Sequence, residues 1–147
     1  ITMREFLEKN HTEVYKWMIL SVHYRSLADF SEQTIDTAVA GLAKVYSALA
    51  LAESLVQTEF LVDKKYEEDL SKAWGELTEA LNHDFGTPNA FAVMFEQIRK
   101  FNTFARRGLK TNPIVSGKCI QFKEFILKFL KHRHFVIITT SKIFFCF

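Results

Sequence analysis

The chain has 147 residues, of which 48% are apolar and 24% charged; this composition fits one globular domain and argues against disorder. A net charge of +2 is too small to mark the whole chain as a binder of polyanions. The charge is unevenly spread, however: residues 1–112 hold 13 Lys/Arg against 16 Asp/Glu, whereas residues 113–147 hold 6 against 1, so the C-terminal part is basic.

Thr2-Met3-Arg4-Glu5 has the form of a capping box and predicts a short helix to about Lys9, broken at Asn10-His11. Thr12 reads as the cap of a second helix reaching about His23, apolar round most of its circumference through Val14, Tyr15, Trp17, Met18, Leu20 and Val22. Ser26 to Phe30 is a connector, and Ser31-Glu32 starts the longest helix, whose apolar positions Ile35, Ala38, Val39, Leu42, Tyr46 and Leu49 recur at helical steps. Its small residues, Gly41 among them, predict close approach by a neighbouring helix. A fourth helix spans roughly Lys64 to Asn82. Asp84 to Pro88 is a turn, with Thr87 as cap and Pro88 at the first position of a fifth helix. That helix carries a Phe and Met stripe, read as core, and ends at Arg106-Arg107-Gly108. Asn112-Pro113 to Gly117 reads as loop, and Cys119 to Phe129 as one more amphipathic helix.

With no hairpin signal before residue 113, the expected fold class is all-α, an antiparallel helical bundle. Residues 1–112 form the expected bundle, and residues 113–147 a partial last helix followed by a divergent basic and aromatic tail. The tail runs through His132, Arg133 and His134 to Phe144-Phe145-Cys146-Phe147; its apolar runs are too short and interrupted to span a membrane. Cys119 and Cys146 have neither disulfide-framework nor zinc-site spacing and read as free or buried thiols, and His132/His134 as a solvated basic pair. The first residues lack a signal-peptide pattern, which points to a cytoplasmic protein.

No catalytic constellation is present: there is no Gly-rich phosphate loop, no H-E-x-x-H and no G-x-S-x-G. Asp84 reads as a turn-former rather than half of a carboxylate pair. The order of local phrases is more informative. Ile1 to Leu7 resembles the stretch after the KMSKS loop of cysteinyl-tRNA synthetases, and Thr12 to Trp17 with Leu20-Ser21 falls where they carry their DALR-type helix. His23-Tyr24-Arg25-Ser26 with Asp29-Phe30-Ser31-Glu32 is similar to the family phrase H-Y-R-S-x-x-D-F-S-E. Leu42 to Leu49 resembles L-x-x-L-Y-x-A-L with Val45 at the second Leu, and Asp84 to Pro88 resembles D-F-N-T-P with Gly86 in place of Asn. The resemblance covers about residues 1–107; the tail departs from it, and a frameshift or gene decay that replaced the native ending is the expectation there.

The resemblance implies a class I synthetase helical domain, anticodon-binding-like in type, that supports tRNA beside a catalytic domain. The parent reaction uses ATP to attach cysteine to its tRNA. The HIGH, KMSKS and zinc-ligand motifs for that chemistry are absent here, so ATP and zinc are implied only for the full-length parent, and no cofactor and no catalytic residue for this chain. The implied partners are cysteine tRNA and the catalytic domain, with no membrane. Tyr24 and Arg25 are candidate tRNA contacts, one by stacking and one by pairing phosphate, or else they brace the bundle against the catalytic domain; His23 reads as a structural cap. Lys100, Arg106 and Arg107 are a second candidate group, weighed against an ordinary solvated face. The alternative to a tRNA role is a helical fragment, non-functional or used for protein interaction, left by truncation or frameshift.

Overall fold

The predicted capping box is formed in the computed structural model, which describes residues 2–107 and 110–131. Thr2 Oγ1 accepts from the Glu5 amide at 3.3 Å and the Glu5 carboxylate accepts from the Thr2 amide at 2.8 Å, so two amides lacking helical partners are satisfied at once. They start α1 (Met3–Lys9), followed by α2 (Thr12–Ser21), α3 (Glu32–Leu55), α4 (Lys64–Asn82), α5 (Thr87–Ala105) and α6 (Pro113–Lys131). The fold is all-α, with no strand among the described residues.

Four local expectations are corrected. The cap of α2 is His11, not Thr12: His11 Nδ1 accepts from the Glu13 amide at 3.3 Å, which puts Thr12 inside the helix. This helix also stops at Ser21, two residues early, because Ser21 Oγ donates to the Met18 carbonyl and Val22 turns extended. The cap of α5 is Gly86, and Pro88 is one position deeper than expected. Asp84 and Phe85 have φ of 53° and 49°, so the chain reverses quickly enough for helical geometry to begin at Thr87. Finally, residues 113–117 are not loop. Asn112 Oδ1 accepts from the Val115 amide at 2.9 Å and Pro113 opens α6, the favoured place for a residue without an N–H.

The core is formed where α6 lies against α3, α4 and α5. Phe122, Ile126 and Phe129 are fully buried, and Phe122 stacks on Phe101 of α5 with centroids 4.0 Å apart. Trp17 of α2 meets Phe91 of α5 at 4.5 Å, and Phe91 meets Phe129 at 5.7 Å, so an aromatic chain joins three helices. Each such buried ring contributes on the order of 2 kcal/mol by leaving water. At Gly41 a Cβ would lie 2.9 Å from Trp17 Nε1, the close approach expected of α3's small residues. By length and composition α3 could cross a membrane, but its Ala38, Leu42, Val45, Ala48, Leu49 and Ala52 are buried in this core. Cys119 is buried with a free thiol; Cys146, His132, His134 and the basic aromatic tail lie outside the described residues.

Candidate functional site at the two ends of the bundle

α5 is 19 residues long, about 28 Å at 1.5 Å per residue, and the candidate residues fall at its opposite ends. Before its start, the chain leaves α2 through extended Val22, and a turn closed by the Ser26 amide on the His23 carbonyl lays His23, Tyr24 and Arg25 against the α4–α5 turn. Tyr24 OH donates to Asp84 Oδ1 at 2.5 Å, and Arg25 Nε donates to Tyr24 OH at 2.8 Å. Arg25 also pairs with the same carboxylate at 3.2 Å, while His23 Nε2 lies 3.1 Å from the Asp84 carbonyl oxygen. The Tyr24 hydrogen bond, helped by the charge of Arg25, holds the Asp84 carboxyl below the usual carboxylate range. Asp84 in turn pushes the Tyr24 phenol above its ordinary value, so the shared proton stays on tyrosine.

This constellation holds a strained turn. Two consecutive non-glycine residues in the left-handed region cost energy and persist only where their surroundings over-determine them. Phe85 is exposed and meets Tyr24 edge-on at 6.2 Å. Asp84 was legible as a turn residue, but nothing local joins it to Tyr24, 60 positions away.

At the other end, Lys100, Arg106 and Arg107 are exposed. No hydrogen bond or ion pair to a described side chain engages Arg106 or Arg107. Arg99, one position from Lys100, is instead consumed by a bidentate pair with Glu96, at 2.9 and 2.7 Å. Here the connector between α3 and α4, residues 56–63, crosses the start of α6 as a strap. Ser116 Oγ accepts from the Gln57 amide at 2.8 Å and donates to its carbonyl at 3.3 Å. The Leu61 amide donates to the Pro113 carbonyl at 2.9 Å. The Gln121 side-chain amide then bonds both the amide and the carbonyl of Asp63, and Gly117 lets Leu61 pass, since a Cβ there would lie 1.8 Å from the Leu61 carbonyl oxygen. Lys118 completes the junction, 3.3 Å from Asp63, 4.8 Å from the Phe104 ring centre and 5.8 Å from that of Tyr66. The Tyr66 amide and Lys118 together hold the Asp63 carboxyl below its ordinary value.

The structure therefore unites Tyr24 with Arg25, gathers Lys100, Arg106 and Arg107 towards the opposite end, and keeps the two groups apart. The strap leaves no signal in the sequence, because its anchors, Ser116 and Gln121, belong to no periodic pattern or motif.

A family model described as the DALR domain matches residues 76–131, from the second half of α4 to the last residue of α6. A cysteine–tRNA ligase of Bdellovibrio bacteriovorus is 51% identical over 129 residues, which is 87% of this chain and 27% of that protein. One from Hydrogenovibrio crunogenus is 37% identical over 108 residues, 74% and 22% of the two chains, and one from Geobacter sulfurreducens is 37% identical over 111 residues, 73% and 23%. The chain thus spans about a quarter of the length of the curated relatives it matches. The DALR match lies at residues 76–131 and not at α2, where the DALR-type helix was expected, and the chain belongs to the cysteinyl-tRNA synthetase family, of which it represents a helical segment that includes the DALR domain.

Proposed function

We propose that this chain is the tRNA-supporting helical segment of a cysteinyl-tRNA synthetase whose complete form attaches cysteine to its tRNA with ATP, in the cytoplasm. The observation that carries this reading is the 51% identity to a cysteine–tRNA ligase along 87% of the chain. The chemistry of cysteine activation, with its ATP and zinc, is assigned to a catalytic domain that works beside this segment, and this chain contributes no catalytic residue and no cofactor of its own. What the bundle offers is a rigid surface, because its core is closed by ring contacts between distant helices. Among the candidate residues, Lys100, Arg106 and Arg107 have charge available for phosphate, whereas Tyr24 and Arg25 first serve Asp84.

Fluorescence anisotropy of labelled cysteine tRNA, a non-cognate tRNA and a salt series tests the reading. We expect weak binding that falls with salt, since phosphate contacts dominate such affinity, and a preference for the cognate tRNA. Absence of binding at low salt would instead favour a helical segment with no RNA role of its own.

A further inference from the structure

We infer that the strap end of the bundle is the face that meets RNA, with Lys64, Lys65, Arg106, Arg107 and Lys110 on phosphates and Phe60 as a stacking platform; this rests on the tRNA-binding reading above. These residues come from three separate stretches, and the junction round Lys118 brings the stretches together. Lys118 touches Asp63, which directly precedes Lys64 and Lys65, and Phe104, which lies two residues before Arg106. Lys110 stands three residues before Pro113, whose carbonyl holds the strap at Leu61. All five cations are exposed. Against them, the strap exposes the carboxylate of Glu59, and Asp63 is already paired with Lys118. The acids of α4 begin at Glu67 in the same first turn and continue with Glu68 and Asp69, further along the helix from the strap.

Two features are unfavourable for stability taken by themselves. Lys64 and Lys65 occupy the first turn of α4, the positive end of the helix dipole, where a carboxylate would stabilise and a cation does the reverse. Phe60, Leu61 and Val62 are 50–59% exposed, although their backbone is anchored by Gln57, Leu61 and Asp63. An exposed aromatic ring on an anchored backbone, at the same end of the bundle as these exposed cations, matches a ligand that is both anionic and aromatic. Single-stranded or splayed RNA has this chemistry: phosphates for the Lys and Arg, and a base face for the ring. The α4–α5 turn also exposes an aromatic, Phe85, but its Arg25 is spent on Asp84.

The test is the salt dependence of cysteine-tRNA binding by the full chain and by variants at each end. Each phosphate contact removed lowers the slope of log affinity against log salt by about 0.7–0.9. We expect Lys64→Gln with Lys65→Gln, and separately Arg106→Gln with Arg107→Gln, to lower it by about 1.4–1.8 each. Phe60→Ala should weaken binding about tenfold with the slope unchanged, and Phe60→Trp should restore it. Arg25→Gln should leave the slope alone. Retained slope and affinity in the strap-end variants would overturn the inference while the tRNA reading survived; no binding by the unmodified chain at low salt would overturn both. Vesicles of phosphatidylserine and phosphatidylcholine are the second arm, because cations beside an apolar strap also suit an anionic lipid surface. Binding to vesicles but not to RNA would overturn the RNA assignment.

Discussion

At the α4–α5 turn Arg25 spends its charge on Asp84 and Tyr24, whereas at the far end of α5 Arg106 and Arg107 are exposed and pair with no acid among the described residues. Both ends join residues about 60 positions apart, yet they do so by different means. The turn is held by side chains, through one carboxylate that gathers a phenol, a guanidinium and an imidazole. The strap is held chiefly through its backbone, which Ser116, Gln121 and the Pro113 carbonyl bind directly. Anchoring a loop by its backbone leaves its side chains available, and anchoring it by charged side chains uses them up. A basic residue is therefore open to a partner only after its place in the internal pairing is known, which a count of Lys and Arg does not supply.

The substitution expected to separate the ends most strongly is Gly117→Ala. Its Cβ would meet the Leu61 backbone at 1.8 Å, and neither the strap nor a packed helix can yield cheaply. We expect a loss near the upper end of about 1–3 kcal/mol, read as a fall in melting temperature of roughly 10 °C. Binding of RNA should fall with it, while the Tyr24–Asp84 contacts remain. An unchanged melting temperature would show that the strap is not fixed against α6.

Ser116→Ala should have a smaller effect in the same direction. It strips the Gln57 amide and carbonyl of their partner at a buried position, which costs about 1–3 kcal/mol. Cys119, one helical turn along, reports the opening without relying on heat. Burial pushes its thiol up to about 11, so little thiolate forms at pH 8 and labelling waits for the site to open. With Cys146→Ser as background, Ser116→Ala should label faster than the parent, and Tyr24→Phe at the parent's rate. Equal acceleration by both would mean that the two ends open as one unit.

Local signals carried much of the fold. The caps Thr2 and Ser31, the apolar stripes and the close approach at Gly41 were all readable, because each depends on neighbours within a few residues or on one helix face. Other features depend on distant chain, or on a local cap with two readings. Gly117 reads as the end of a loop, yet it is a helical residue that is small where the strap passes. Asn112-Pro113 reads as loop, although a capping side chain followed by proline is also how a helix begins. Val22 leaves α2 as the chain runs to Asp84, a partner 61 positions from His23. The candidate site was legible as residue types, in Tyr24, Arg25, Arg106 and Arg107, but not as two opposed ends, since that depends on the course of α5.

Tyr24→Phe is the mildest change and the sharpest test of how the turn is held. It removes the hydroxyl that is the first cause of Asp84's depressed pKa and leaves the ring in place. A carboxyl with a folded-state pKa below its unfolded value, about 3.9, adds stability that is fully present above that unfolded value. The contribution is lost as pH falls through the folded value. Wild type should therefore melt slightly above Tyr24→Phe at neutral pH, by a few degrees at most because both groups are exposed to solvent, and the gap should close below about pH 4. Asp63 at the strap is also held low, by the Tyr66 amide and Lys118, so the variant should keep the remaining acid sensitivity. A gap that persists unchanged into acid would mean that the phenol acts through ring packing against Phe85 rather than through the carboxylate of Asp84.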